Sequence, residues 1–90
     1  MDIVKFDKKS VLVYVNSVIL NWRNRKQENI DAHMEKRISE DEFMEKDLIA
    51  SCYVDAFQSM RISLFGKTLP MGATDINYSE DISEYIKEME

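Results

Sequence analysis

Apolar residues recur at three- and four-residue spacing along two long stretches of the chain, and this spacing is typical of amphipathic helices. In the first stretch the apolar row consists of Val11, Val15, Val18, Trp22, Ile30 and Met34, with Leu12 and Ile19 beside it. In the second stretch it consists of Ile49, Tyr53, Ala56, Phe57, Met60 and Leu64. The pattern predicts two long helices, each with its apolar row buried.

The second of these helices has clear signals at both ends. Ser39 and Glu42 have the spacing of a capping box, in which the serine hydroxyl accepts the N–H of the residue three positions on. Gly66 can adopt the left-handed conformation that often ends a helix. Together these signals predict a helix over residues 39–65.

The first helix has a competing interpretation. Asp7 is placed as an N-cap, which predicts a helix over residues 8–36. However, residues 3–6 and 11–15 are rich in β-branched side chains and flank four polar residues, which is also the pattern of a β-hairpin. We favour the helix because an isolated two-stranded hairpin is marginally stable and no further strand is predicted.

Both glycines and the single proline lie beyond the second helix. Pro70 and Gly72 predict a loop over residues 67–77, because neither residue favours continuation of a helix. We expect Leu69 and Met71 in this loop to pack back onto the helices.

After the loop, Ser79 is placed to cap a third helix over residues 79–89. One face of this helix is apolar and carries Ile82, Tyr85, Ile86 and Met89. The predicted fold class is therefore all-α. It is a single domain over residues 1–90, made of a long helical hairpin and a short C-terminal helix.

The apolar surface of the second helix is wider than its main row. Further apolar residues flank the row on both sides, namely Met44, Leu48, Cys52, Val54, Ile62 and Phe65. So broad an apolar arc needs cover from more than one side. We therefore expect self-association, as a dimer, to complete the fold.

The charge distribution narrows the classes of partner. The chain carries a net charge of −5, which disfavours nonspecific binding to nucleic acid. Residues 1–37 hold eight Lys or Arg and five Asp or Glu, whereas residues 75–90 hold one and six. No apolar run is long enough to span a membrane, and one cysteine forms no internal disulfide. These features predict a cytoplasmic protein.

Features that suggest catalysis lack the context that the chemistry needs. Residues 66–68 read Gly-Lys-Thr, but a phosphate loop requires glycine at position 61, where Arg61 stands. His33 and Cys52 have no neighbouring ligands that complete a metal site. We expect Cys52 to be buried as a small apolar residue. The sequence thus predicts no catalytic residue, no metal and no cofactor.

The most suggestive polar residues surround a tryptophan in the first helix. Arginine and lysine beside an aromatic ring can hold a phosphate and stack on a base. The predicted ligand-binding residues are Trp22, Arg23, Arg25, Lys26 and, from the second helix, Arg61. The alternative for the basic residues of the first helix is ion pairing along that helix. For Arg61 it is simple exposure to solvent, which we take as the expected state.

The predicted third helix has an acidic face opposite its apolar one. Its carboxylates, those of Glu80, Asp81, Glu84 and Glu88, are the predicted contacts to a protein partner. A solvated face is the commoner role of such a charge run.

Residues 53–61, followed by Leu69 and Pro70, resemble segments of small bacteriophage proteins. The resemblance implies an accessory role in the host cytoplasm, either disabling a host factor or capturing a defence signal. The sequence therefore favours a small non-enzymatic binding protein, such as a phage-type inhibitor or adaptor acting on a host protein. The alternative is an oligomeric sponge that binds a nucleotide or cyclic oligonucleotide between subunits.

Overall fold

The computed structural model describes residues 7–84, which form a helical hairpin with a C-terminal segment laid against it. Helix α1 spans Lys8–Met34 and helix α2 spans Glu40–Phe65. A 3₁₀ turn, Glu80–Ile82, follows near the end of the described chain. No strand occurs between residues 7 and 84. The all-α fold class is thus confirmed.

Three predicted helix ends are confirmed by their hydrogen bonds and dihedral angles. The Asp7 carboxylate accepts the Ser10 N–H at 2.7 Å and caps α1. The Ser39 hydroxyl accepts the Glu42 N–H at 3.1 Å and caps α2. Gly66 has φ +80° and ends α2 in the left-handed conformation, where a Cβ atom would be strained.

Helix α1 ends at Met34, two residues before the position that the sequence predicts. Lys36 adopts φ +60°, and the Arg37 N–H donates to the Ala32 carbonyl at 2.8 Å. This is the bond pattern of a Schellman motif, which here forms without glycine. The β-hairpin alternative is wrong for residues 11–15, which lie within α1. Residues 3–6 lie outside the described part of the chain.

The core lies between α1 and the C-terminal segment, which we define as residues 66–84. Its larger apolar side chains are those of Leu12, Val15, Ile19, Phe65, Leu69 and Ile82. Leu69 packs as expected, but Met71 is 85% exposed and does not. The C-terminal segment therefore supplies much of the apolar cover for α1.

Helix α2 turns a different face to the core from the predicted one. Its buried residues are Ala50, Arg61 and Phe65. The expectation that the row from Ile49 to Leu64 is buried is wrong, because only Phe57 of that row is even half-buried. In this orientation Arg61 points inward, where its guanidinium meets Asn16 and Asp81.

The predicted third helix is seen in part. Its apolar residue Ile82 is 4% exposed and packs beside Leu12 and Phe65, as docking of this segment requires. The described chain shows the turn Glu80–Ile82 at its start. Residues 85–89, which include the other predicted apolar contacts, lie outside the described residues.

Candidate functional site

Arg61 is the centre of the polar contacts between the hairpin and the C-terminal segment. Its side chain is fully buried, so the expectation of solvent exposure is wrong. The guanidinium Nε donates to Asn16 Oδ1 at 2.9 Å, and Nη1 donates to the Lys67 carbonyl at 2.8 Å. Nη1 also lies 2.9 Å from Asp81 Oδ2. One side chain thus joins α1, α2 and both ends of the C-terminal segment.

Burial of a guanidinium is tolerated only when its charge and its donors are matched. Asp81 supplies the opposite charge, and its side chain is 12% exposed. Asn16 is also fully buried, and its Nδ2 donates to the carbonyls of Ile76 at 3.0 Å and Tyr78 at 3.1 Å. Within residues 7–84, no buried side-chain nitrogen or oxygen lacks a partner.

Two further side chains fasten the same segment. Arg23 donates to the Leu69 carbonyl at 2.8 Å and to the Pro70 carbonyl at 2.9 Å. Burial lowers the pKa of the Arg23 guanidinium, and the nearby charge of Arg61 lowers it further. Gln58 makes a two-way contact with Leu69: its Nε2 donates to the carbonyl and its Oε1 accepts the N–H. We call this side of the hairpin the covered face.

The other side of the hairpin carries large apolar side chains that remain accessible. We define this open face by Tyr14, Val18, Trp22 and Arg25 of α1 and Ile49, Tyr53, Met60 and Leu64 of α2. Tyr14 is 60% exposed and Tyr53 is 46% exposed. The apolar periodicity of α2 marks its part of this surface but predicts that it is buried in the core. The excess width of the α2 apolar arc was the signal for it.

Aromatic contacts between the two helices order the open face. Trp22 and Tyr53 are stacked, with ring centroids 4.3 Å apart and planes inclined by 4°. Tyr14 meets Phe57 edge to face at 6.1 Å. The Arg25 guanidinium lies 4.5 Å from the centroid of the Trp22 ring, in cation–π contact. These contacts hold the exposed rings in defined orientations.

A groove of about 500 Å³ opens beside the stacked rings, near the turn of the hairpin. Its lining is Trp22, Arg25, Glu28, Asn29, Lys46 and Ile49. Two cations and one carboxylate surround apolar surface in this groove. A ligand with a planar apolar body and an anionic group has complementary chemistry.

The structure does not bring the five predicted ligand residues together. Trp22 and Arg25 line the groove on the open face. Arg23 and Arg61 are engaged with the C-terminal segment on the covered face. Lys26 donates to Ser51 Oγ at 2.6 Å and lies 3.7 Å from Asp47. Three of the five are therefore engaged in hydrogen bonds within the fold.

The predicted partner-binding carboxylates also differ in their exposure to solvent. Glu80 and Glu84 are exposed, as a contact surface requires. Asp81 instead pairs with Arg61 in the interior. Glu88 lies outside the described residues.

Other candidate chemistry stays sparse in the described part of the chain. Cys52 is exposed, so the expectation that it is buried is wrong. His33 stacks on Phe43 with ring centroids 4.6 Å apart. Between residues 7 and 84, no group of three or more His, Cys, Asp or Glu side chains is placed to hold a metal ion. No helix there is long and apolar enough to cross a membrane.

Comparisons with protein-family models, curated proteins and solved structures found no match for this chain. The geometry of the open face and of the groove is therefore the basis for assigning a function.

Proposed function

We propose that this chain is a non-enzymatic protein-interaction module whose working surface is the open face. The observation that carries the proposal is the exposure of five large apolar side chains on one side of the hairpin. Tyr14, Ile49, Tyr53, Met60 and Leu64 are each between 37% and 60% exposed. Large apolar patches on soluble proteins commonly mark binding surfaces.

The size and composition of this surface fit a protein interface. At about 200 Å² for a fully exposed side chain of this size, the five side chains together expose on the order of 450 Å². Aromatic residues, methionine and arginine are enriched in interfaces. Tyr14, Tyr53, Met60 and Arg25 supply these types on the open face. Stacking with Trp22 limits the entropy that Tyr53 loses on binding.

The class of partner is suggested by the sequence. The resemblance of residues 53–61 to small bacteriophage proteins suggests a host protein, bound by the chain as an inhibitor or adaptor. The exposed carboxylates of Glu80 and Glu84 add an acidic surface for such a partner. We place them second to the open face because exposed acidic side chains alone are commonly only solvated.

Site-specific photo-crosslinking tests the proposal. A photoreactive amino acid replaces Tyr53 on the open face or, as the control, Asp55, which is also exposed and lies two residues along α2. We expect irradiation in the producing cell to give polypeptide adducts at position 53 and few at position 55. Equal yields at the two positions, or none at either, would overturn the proposal.

The groove supports a second candidate function, the binding of a nucleotide or cyclic oligonucleotide. Trp22, Arg25 and Lys46 combine an aromatic ring with two cations around about 500 Å³. This is a smaller site than the five residues predicted from the sequence. Trp22 is already in contact with Tyr53 and Arg25, so a base must displace one of them or stack elsewhere.

Nucleotide binding is testable through the only tryptophan in the chain, Trp22. We expect a bound nucleotide to change its fluorescence and Arg25→Ala to abolish that change. Arg37→Ala is the matched control, because Arg37 is exposed and pairs with Glu35. The sponge hypothesis fails if millimolar nucleotide leaves the emission of the unmutated protein unchanged.

A further inference from the structure

We infer that the partner on the open face is a second copy of this chain, packed antiparallel to the first. The inference rests on the proposed function, that the open face binds a protein, and it assigns a second copy instead of a host protein to that surface. The resulting assembly is a four-helix bundle built from two hairpins, with Tyr14, Trp22 and Tyr53 of each copy in its interior. Antiparallel helical bundles bury such rows at small crossing angles.

The extent of the exposed row matches a helical partner of the same length. On α2 the row runs from Ile49 to Leu64, a span of roughly 22 Å at the rise of an α-helix. Helix α2 itself buries only Ala50, Arg61 and Phe65. A second hairpin presents two helices long enough to cover this row from end to end.

The accessible area agrees with the size of a small dimer interface. Each copy offers on the order of 450 Å² from the five exposed apolar side chains, so two copies bury roughly 900 Å². Half-buried Val18 and Trp22 and the stem of Arg25 extend the contact. The total then passes about 1,000 Å², the size that specific interfaces generally reach.

The charge pattern of α1 selects the antiparallel orientation. The α1 row on the open face follows three- and four-residue steps through Asp7, Val11, Tyr14, Val18, Trp22, Arg25 and Asn29. Its charged members are Asp7 at the start and Arg25 near the end. An antiparallel copy brings the acidic end of one row to the basic end of the other. A parallel, in-register pairing of the two α1 rows would place like charges together, which is unfavourable.

The charges on α2 do not oppose this orientation. Glu42 and Lys46 belong to its exposed row and lie 3.9 Å apart within one helix, so they compensate each other. Glu28 also lines the groove and lies three residues from Arg25 in the same helix. Arg25 therefore has one acidic neighbour in its own copy in addition to Asp7 of the other copy. The ends of the α1 row therefore decide the orientation.

The antiparallel arrangement has a definite centre. A two-fold axis at the level of Val18 and Phe57 places Tyr14 of one copy opposite Trp22 of the other. It also places Tyr53 opposite Met60. Since each pair repeats on the other side of the axis, the open face is complementary to itself.

The first experiment measures the mass of the full chain in solution by light scattering and native mass spectrometry. We expect a species of twice the 10.6 kDa chain mass. Met60→Lys places a charge on the open face and should weaken dimerisation at least tenfold. Ser59→Lys is the matched control, one residue along on an exposed position outside the face, and should leave the dimer intact. Circular dichroism verifies that both variants remain helical.

The second experiment tests the orientation by disulfide formation. Cys52 is the only cysteine and is first replaced by serine. In that background Val18→Cys lies at the two-fold axis and should form a disulfide-linked dimer under mild oxidation. Asn29→Cys lies 11 residues from the axis, so its two copies are about 30 Å apart and should not link. Ready linkage at Asn29→Cys overturns the inference, because it requires the two α1 helices to lie parallel and in register, an arrangement in which Val18→Cys would link as well.

The outcomes separate this inference from the proposed function. A chain that is monomeric at every concentration overturns self-association. If photo-crosslinking at Tyr53 then yields adducts to a different polypeptide, the proposed function stands without it. A dimer that survives Met60→Lys overturns the assigned interface. A dimer lost in Met60→Lys, kept in Ser59→Lys and linked through Val18→Cys supports the inference.

Discussion

The covered face of the hairpin is held by directional polar contacts, whereas the open face offers mainly apolar and aromatic surface. On the covered face, Arg61, Asn16, Arg23 and Gln58 each contact a specific atom of the C-terminal segment. On the open face, the exposed atoms are largely carbon. The first surface fixes one segment through contacts between specific atoms, and the second selects its partner mainly by complementary apolar shape.

This difference shows how a small chain can separate folding from binding. A buried polar contact made out of register leaves donors and acceptors unpaired, which costs about 1–3 kcal/mol for each group. An apolar contact made slightly out of register loses much less. We therefore expect disruption of the covered face to reduce stability strongly and disruption of the open face to affect association.

The largest effect is expected from Arg61→Met. The substitution leaves Asp81 and Asn16 without their buried partner, and breaking one side of a buried ion pair costs about 3–5 kcal/mol. Urea unfolding measures the loss. Ser59→Ala, at a nearby exposed position outside the open face, is the control and should cost less than about 1 kcal/mol. Similar losses in the two variants would show that the contacts of Arg61 do not hold the covered face.

The next largest effect is expected from Leu69→Ala in the C-terminal segment. Leu69 is 1% exposed and packs with Val15 and Ile19, so the truncation should cost about 2–4 kcal/mol through lost burial and a residual cavity. Met71→Ala, at 85% exposure in the same segment, should fall within about 0.5 kcal/mol of the parent. Thermal unfolding of both variants measures the two losses of stability and tests whether that of Leu69→Ala is much the larger.

A smaller effect is expected from Gln58→Ala, which removes both contacts to the Leu69 backbone. The loss should be about 1–2 kcal/mol, because the Leu69 N–H loses its acceptor while the Leu69 carbonyl keeps Arg23 as a donor. Hydrogen exchange at the Leu69 amide should accelerate. Gln27→Ala is the control, since Gln27 bonds only to exposed Asp31. Unchanged exchange at Leu69 would contradict the fastening role.

On the open face, Tyr53→Leu retains apolar area but removes the ring that stacks on Trp22. We expect a loss of about 0.5–1.5 kcal/mol, the usual contribution of an aromatic pair beyond its burial. The emission of Trp22 should shift at the same time. An unchanged emission spectrum would mean that the rings are not stacked in solution.

The smallest effect concerns pH and the start of α1. The Ser10 backbone N–H, aided by the Ser10 side chain, lowers the pKa of the Asp7 carboxyl. The carboxylate therefore stabilises the fold above its unfolded pKa of about 4, and this contribution is lost as pH falls through the lower folded-state pKa. Asp7→Asn keeps the cap without the titration. The free energy of unfolding of Asp7→Asn, relative to that of the parent, should therefore rise as the pH is lowered from 7 to 3.

The sequence predicts those features that depend on nearby residues. The caps at Asp7 and Ser39 and the stop at Gly66 are confirmed, because each needs only a side chain or a glycine within one turn of the helix. The two long helices follow from periodicity. The sequence places the end of α1 two residues late, because Lys36 adopts the left-handed conformation without a glycine to signal it.

The sequence does not reveal which face of α2 is inside. The apolar row from Ile49 to Leu64 has the expected periodicity, yet the interior contains Arg61. An arginine is buried only if partners distant in sequence, here Asn16 and Asp81, meet it. The spacing of residues within one helix does not predict such distant partners. For the same reason, the sequence groups Arg23 and Lys26 with Trp22, whereas in the structure Arg23 binds the Leu69 carbonyl and Lys26 binds Ser51.

The acceptors on the C-terminal segment are mostly carbonyl oxygens of the main chain. Arg61, Asn16 and Arg23 bind the backbone at Lys67, Ile76 and Pro70, among other positions. A carbonyl is the same whichever side chain accompanies it. Evolution is therefore free to change these residues while the segment keeps its course, provided that Leu69, Asp81 and Ile82 persist. For protein engineering, the exposed side chains of the segment are therefore the positions open to replacement, because the hairpin binds the main chain beside them.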